Sequence, residues 1–329
     1  MTEYPRLTVT HGDALDNYQS WPTPQAIVSD GAYGVLGFDG DTDGPRNLPA
    51  WYEPHVVAWS RAATPNTTLW FWNTEIGWAT VHPLLEAHGW RYVNSNVWNK
   101  GVGHIAGNIN TKTLRRFPVV TEVCVQYAFE ARVNGLSLQQ WLLSEWRRSG
   151  LPARAANAAC GVKNAASRKY FDQGAHWYFP PPEAMSRLVE YANTHGAPEG
   201  RPYFTMDRGP VTPDAWGRMR AKFVCPHGVT NVWDRSSLHS PERIRVEGRA
   251  VHLNQKPLDL MSRIIEASTD PYGVVWEPFG GLFTASIAAA LLNRRGYATE
   301  TNPAYFQAGQ KRAGTLGLLA AGATREDPC

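Results

Sequence analysis

Two short stretches of this 329-residue chain carry side chains whose types and spacing could do chemistry. Ala26-Ile27-Val28 is an apolar run that stops at once in Ser29-Asp30-Gly31-Ala32-Tyr33-Gly34. A carboxylate, two small residues and an aromatic at a strand end stand where open α/β sheets bind ligands. The same residues also suit a plain polar turn capped by Asp30. The second stretch, Val274 to Asn302, reads as a short apolar strand, then an acid and a glycine turn, Glu277-Pro278-Phe279-Gly280-Gly281. A helix follows from Thr284, then a strand from Gly296 to Thr299 that ends in Glu300. Strand, glycine turn, helix and strand with a terminal acid form a βαβ unit that can cradle a nucleotide. The glycines let the backbone approach a ligand, and the acid can accept hydrogen bonds from ribose hydroxyls. By itself this unit is open to NAD, other nucleotides or S-adenosylmethionine. A glycine turn before an Ala-rich helix also serves close helix–strand packing.

The rest of the chain has the rhythm needed to position these stretches. The length suits one large α/β domain with an insertion, or two domains, and 43% apolar residues can build a sizeable core. Expected strands run over Leu7 to Thr10, Thr68 to Trp72, the residues up to Val97-Trp98-Asn99-Lys100, and Val119 to Phe129. Expected helices cover Trp51 to Ala62, Trp78 to Ala87 (closed by His88-Gly89), Leu258 to Ala267, and the segment after Tyr305. Residues 34–50 form a loop beside the first stretch. Its Asp39, Asp41 and Asp43 alternate like a calcium loop but lack the later bidentate Glu. Fourteen tryptophans suit core packing, with a few free to stack on bases.

From Arg132 the texture changes. SLQQWLLSEWRRSG is an amphipathic helix, and LPARAANAACGVKNAASRKYF reads as helix, turn at Ala159 to Val162, helix. That is the rhythm of a helix-turn-helix, or of an ordinary helical hairpin. Its second helix is expected to carry Lys163, Asn164, Ser167, Arg168 and Lys169 on the polar side, types that suit phosphates and base edges. Residues 175–230 show no clear periodicity. Eight basic residues face twelve acidic ones in 1–130, 17 face 10 in 131–250, and seven face seven in 251–329. The basic middle, richer in Arg than Lys, suits phosphate contact, as it suits an Arg-rich solvated surface.

Four scattered cysteines form no CxxC pair, and the neighbours Cys225 and His227 lack two further ligands. No metal site and no disulfide framework is expected. No signal peptide and no spanning apolar run is visible, so a soluble, cytoplasmic protein with no membrane partner is expected.

Several motifs together resemble the amino-methyltransferases of DNA, those that modify adenine N6 or cytosine N4, in the circular permutation called the beta class. HLNQKPLDLMSRII is similar to that family's His-x-x-Gln-Lys-Pro segment. WEPFGGLFT resembles its Asp-Pro-Phe-x-Gly-x-Gly-Thr, and RRGYATETNPAYF its strand ending in Glu-x-Asn-Pro-x-Tyr. HGDAL with the later Asp30-Gly31-Ala32-Tyr33 resembles its Gly-Asp and Asp-Pro-Pro-Tyr pairing. VWNK and VTEVCVQYAF fit the connecting strands. The resemblance covers roughly 1–130 and 231–312. This chain departs from the pattern in having Gly31-Ala32 for two prolines, Glu277 for the first Asp, and Leu282 or Phe283 for the later glycine.

The resemblance implies a Rossmann-like methyltransferase α/β sheet, circularly permuted. Residues 1–130 would be the catalytic half, 131–230 a mainly helical inserted target-recognition region, and 231–329 the S-adenosylmethionine-binding half. An exocyclic amine is a poor nucleophile, because its lone pair is delocalised into the ring. A carboxylate and a backbone carbonyl that each accept one N–H can orient it and free the lone pair. Asp30 and the Gly31 carbonyl would do this, with Tyr33 stacking on a base flipped out of the duplex. Without the prolines, stiffness at Gly31 must come from neighbours or from bound DNA. Glu300 would hold the ribose and Asp13 the adenine amino group. Glu277, Phe279, Gly280 and Gly281 would line the methionine portion, with Thr284 at the helix start, Asn302 in the final motif, and Lys256 and Pro257 from the preceding turn. Lys163, Asn164, Arg168 and Lys169 would contact DNA. An Asp at position 30 favours adenine N6 over cytosine N4. The expected partners are double-stranded DNA, a cognate restriction endonuclease of a restriction–modification system, and a second copy of the chain in a homodimer. The competing readings are a degenerate methyltransferase-like DNA-binding protein and an RNA methyltransferase.

Overall fold

The structure, a computed structural model, describes residues 6–36, 41–105, 113–198, 200–206, 209–239 and 242–319. Asp39 and the Gly/Ala-rich tail lie outside them. The chain divides into two compact units. One comprises the residues up to Phe129 together with those from Ala221 onward, and the other is Glu130–Arg220.

An eight-stranded sheet organises the first unit. Its order is Leu7–His11, Arg295–Glu300, Val274–Glu277, Ala26–Ser29, Thr68–Asn73, Thr121–Phe129, Trp90–Asn99, Val232–Asp234. All neighbours pair parallel except at Thr121–Phe129, which is antiparallel to both of its neighbours. Seven strands therefore point one way, and one edge of the sheet collects their C-terminal ends. Gly12, Asp30, Asn73, Lys100, Glu277 and Glu300 all stand at or just beyond those ends. The reversed strand brings its N-terminal residues, Thr121 and Glu122, to the same edge. The late strand Val274–Glu277 pairs directly with the early strand Ala26–Ser29 (Val275 opposite Ala26, Trp276 opposite Ile27). The two chemistry-bearing turns of the sequence thus leave the sheet side by side.

The central strands read as continuous apolar runs because both faces are covered. Val274–Glu277 and Thr68–Asn73 are buried at every position. One face packs Tyr52, Val56 and Trp59 of helix Leu48–Ala62 with Val81 and Leu85 of helix Glu75–Ala87. The other packs Leu260, Ile264 and Ile265 of helix Leu258–Ser268 with Ala285, Ala288 and Ala289 of helix Thr284–Leu291. The tryptophans at 59, 70, 72, 90 and 276 are fully buried, so they act as core. Helix Pro303–Thr315 opens on the side chain of Asn302, which accepts the N–H groups of Ala304 and Tyr305.

The second unit has its own core around Trp141, Trp146, Met185, Leu188, Phe204 and Trp216. Helix Leu138–Arg148 begins with a capping box, Ser137 and Gln140 three residues on. Two expectations are corrected here. The helix-turn-helix reduces to Ala155–Cys160 and Ala165–Lys169, six and five residues long. Lys163 and Asn164 precede the second helix, because Gly161 turns left-handed and the chain re-enters the helical region only at Ala165. The region called aperiodic contains helix Pro182–His195, started by proline at its first position and buried through Met185, Leu188 and Ala192.

Candidate active site

Asp30 leaves the sheet directly after the buried Ser29, and its side chain is 20% exposed. Its Oδ1 accepts two hydrogen bonds, from the Tyr33 hydroxyl at 2.7 Å and from Lys256 Nζ at 2.7 Å. Among the described residues nothing bonds Oδ2 or the Gly31 carbonyl. The turn itself is held by side chains. The Asp41 carboxylate accepts the N–H groups of Tyr33 (3.1 Å), Gly34 (2.7 Å) and Val35 (3.2 Å). The Ala32 carbonyl accepts from Tyr52 Oη (3.0 Å) and Asn73 Nδ2 (2.9 Å). Neighbours therefore supply the stiffness that the absent prolines would have given.

Gly31 is required by space. A Cβ there would lie 2.7 Å from two carbons of the Phe279 ring and 2.8 Å from the Tyr52 hydroxyl. Any larger residue must displace the ring or the turn. Gly31→Val is expected to lower the activity of this site about 100-fold, because ångström-scale misplacement costs that much. Single-turnover kinetics of the reaction proposed below will measure it.

Lys256 was expected on the cofactor side. It is buried, and its ammonium instead reaches Asp30, the Tyr33 hydroxyl at 3.0 Å and Glu122 Oε2 at 3.4 Å. The other oxygen of Glu122 pairs with Lys100. Burial works against charge on Lys256, but Asp30 and Glu122 outweigh it and raise its pKa. Burial likewise pushes Glu122 up, yet Lys256 and Lys100 together bring it below the ordinary carboxylate value. Both groups are charged at neutral pH.

The glycine turn is a second, separate construction. Gly281 has φ +52°, the left-handed region, and its N–H donates to Glu300 Oε2 at 2.7 Å. Glu300 Oε1 accepts the Asn302 N–H at 2.7 Å. Gly280 serves packing, since a Cβ there would meet the Phe283 ring at 2.5 Å and the Thr299 carbonyl at 2.7 Å. Phe283, where the family pattern has glycine, takes φ +57° and buries its ring completely. The lost conformational ease is offset by that burial. Asp13 stands exposed at the end of the neighbouring strand, where it caps a short 3₁₀ turn through the Leu15 N–H. Pro257 is buried at the start of helix Leu258–Ser268, and Thr284 accepts a hydrogen bond from Arg312. His252 lies beside Gly281 and Tyr305, and its Nδ1 is buried without a partner.

Glu277 is turned into the core, where its two oxygens accept the N–H groups of Ala285 (2.9 Å) and Ser286 (2.7 Å) at the start of the following helix. Burial outweighs these donors and pushes its carboxyl up to about 7. A carboxyl raised in the folded state takes up its proton first in the folded state. It therefore favours the fold at low pH, and this contribution is lost as pH rises from 4.5 through about 7. Relative to Glu277→Gln, the wild type is expected to lose roughly 3 kcal/mol of unfolding free energy over that interval. Denaturant titrations of both proteins at several pH values will check the difference in slope.

A profile of the DNA methylase family, N6_N4_Mtase, matches residues 25–311. The chain belongs to this family. The family reading of the sequence and its Rossmann-like α/β sheet are both borne out. Among its relatives, the type II methyltransferase M.HinfI of Haemophilus influenzae is 35% identical over 83 residues, 25% of this chain and 23% of that one. The DNA adenine methyltransferase YhdJ of Escherichia coli K12 is 35% identical over 82 residues, 25% of this chain and 26% of that one. The matched stretches thus span about a quarter of either relative. The crystal structure of an M1.HpyAVI–SAM complex is 17% identical, with a TM-score of 0.49, covering 93% of this chain and 99% of that one.

The DNA methylase fold brings Asp30, Gly31, Tyr33 and Lys256 together at one turn. At the neighbouring turns it gathers Phe279, Gly280, Gly281, Glu300, Asn302 and Asp13. Glu277 turns into the start of the helix behind the turn, and Thr284 opens that helix with its hydroxyl accepting from Arg312. Lys163, Asn164, Arg168 and Lys169 lie exposed in the second unit, Lys169 beside the Tyr178 ring. Sequence reasoning missed Glu122, Lys100, Tyr52, Asn73 and His252 as site residues. Lys100, Glu122 and His252 all stood inside motifs of the sequence. Nothing in its motif placed Glu122 at the site, because only the reversal of its strand brings it there. Among the described residues no group of three metal-ligating side chains occurs, and no helix is long and apolar enough to cross a membrane.

Proposed function

We propose that the protein transfers the methyl group of S-adenosylmethionine to an exocyclic amino group of a flipped base in double-stranded DNA, adenine N6 foremost. The observation that carries this is the packing of Phe279, from the glycine turn, against Gly31, from the Asp30 turn. It sets a donor-binding turn against an amine-binding turn with no residue between them.

The residues present fit S-adenosylmethionine. Glu300 offers a carboxylate at the tip of its strand for the ribose hydroxyls, and the exposed Asp13 an acceptor for the adenine amino group. His252 Nδ1 is a buried polar atom still lacking a partner. Bound there, the donor supplies a methyl group on a cationic sulfur. The protein's own part is orientation. Asp30 Oδ2 and the Gly31 carbonyl each accept one amino N–H, which aims the nitrogen lone pair at the methyl carbon and stabilises its developing positive charge. Tyr33 gives an aromatic surface for the extruded base.

The Asp at position 30 supports adenine N6, because the cytosine-N4 members that the chain resembles tend to carry Ser there. The basic segment 131–250 and the exposed Lys163, Asn164, Arg168 and Lys169 support DNA recognition by the residues of 131–230. The arrangement of strands supports the circularly permuted order. Likeness to type II methyltransferases supports a cytoplasmic role in restriction–modification, with a cognate endonuclease as a further partner; a homodimer is compatible with it.

The test is labelled methyl transfer offered in parallel to duplex DNA and to RNA of matched sequence. Incorporation into the duplex is expected. Incorporation into RNA alone, or into neither, contradicts the proposal.

A further inference from the structure

The side chains around Asp30 converge on one of its two oxygens. Lys256 Nζ and the Tyr33 hydroxyl both bond Oδ1 at 2.7 Å, and they bond each other at 3.0 Å. Lys256 has three protons to place, and three acceptors stand within reach: Asp30, Tyr33 and Glu122. Glu122 is fixed in turn by Lys100. Two anions and two cations thus form one chain behind the carboxylate, with the Lys256 side chain only 2% exposed.

Stability alone gives little reason for such a chain. Burying an ion pair seldom stabilises a fold beyond what apolar side chains of the same size would do. Orientation gives a reason. A carboxylate on a freely rotating side chain presents either oxygen, at any angle. With Oδ1 held by two donors, Oδ2 is the oxygen left free to accept. The negative charge of Glu122 also offsets the ammonium that would otherwise oppose positive charge on the reacting amine.

We propose that Lys256 is a positioning residue, held by Glu122 and Lys100, that locks Asp30 with Oδ1 turned inward and Oδ2 presented to the target amino group. This rests on the proposed role of Asp30. It separates Lys256 from the cofactor contacts that its sequence motif implied.

Lys256→Met alone leaves Asp30 without its counter-charge and Glu122 with Lys100 only, which is destabilising at a largely buried site. The test therefore pairs it with Lys256→Met/Glu122→Gln, which removes a cation and an anion together and keeps both shapes. Each full-length variant is assayed for S-adenosylmethionine affinity, duplex affinity and the single-turnover rate of methyl transfer, beside Asp30→Ala. The double variant is expected to bind both ligands within about threefold of wild type and to transfer roughly 100-fold more slowly. It is also expected to add no further loss in an Asp30→Asn background, because Lys256 acts through Asp30. A rate within about threefold of wild type overturns the inference. So does a loss confined to S-adenosylmethionine affinity, or one that persists in full in the Asp30→Asn background. If Asp30→Ala is inactive while the double variant is fast, only the positioning role falls. If Asp30→Ala remains active, the proposed role of Asp30 falls with it.

Discussion

Asp30→Ala is expected to lower methyl transfer to duplex DNA about 1,000-fold while S-adenosylmethionine affinity stays within about threefold of wild type. The methyl side chain can accept no N–H, so the target amine keeps only the Gly31 carbonyl as a fixed acceptor. The lone pair is then neither aimed nor relieved of its developing charge. Lys256 and Tyr33 lose their shared anchor at Oδ1 at the same time. Donor binding is spared because Glu300, Gly281 and Asp13 sit on other strand ends, tied through Gly281 N–H to Glu300 and Gly12 N–H to the Glu300 carbonyl. Packing of Phe279 on Gly31 is untouched. Single-turnover transfer and calorimetric titration of the donor, on the same preparation, will separate the two quantities. A variant that keeps more than a tenth of the wild-type rate would refute the catalytic assignment.

Glu300→Ala should do the opposite. Its dissociation constant for S-adenosylmethionine is expected to rise about 100-fold, with the rate at saturating donor much less affected. Two hydrogen bonds from ribose hydroxyls to a carboxylate contribute about 1.5 kcal/mol each, and two such bonds give that factor. The carboxylate also holds the Gly281 and Asn302 N–H groups at 2.7 Å, so the turn loosens when it is removed. Burial raises the Glu300 pKa despite these donors. Affinity is therefore also expected to weaken in mildly acidic solution, where the protonated carboxyl has one fewer acceptor. Calorimetry against donor concentration measures both effects. A change below threefold would place the ribose elsewhere.

The cofactor turn was legible in the sequence because it is contiguous. The strand, Gly280-Gly281, the helix from Thr284 and Glu300 fall within one stretch, and their order alone fixes their neighbourhood. Asp30 was legible only in part: an acid at the end of an apolar run suits a polar turn as well as a site, and its likeness to the Asp-Pro-Pro-Tyr motif decided between them. Glu122 was not, since its place depends on one strand running against seven. The partners of Lys256 were hidden for a related reason. Its position before a helix says nothing of which strand end lies opposite. The clamping of the Ala32 carbonyl by Tyr52 and Asn73, and of three N–H groups by Asp41, comes from residues far apart in sequence or across a loop. The short helices at Ala155–Cys160 and Ala165–Lys169 show a different limit: an Ala-rich composition promises more helix than tertiary packing retains. Helix Pro182–His195 was overlooked because its flanking prolines suggested irregular chain, although proline is well placed at a helix start.

The central claim is that Asp30 and the glycine turn together methylate an exocyclic amine in DNA. Its most direct test is to incubate duplex DNA with S-adenosylmethionine and either the wild type or Asp30→Ala, digest it to nucleosides, and identify the modified base by mass. N6-methyladenine is predicted with the wild type and none with Asp30→Ala. Absence of any methylated nucleoside, methylation at a ring carbon, or equal product from both proteins would contradict the account.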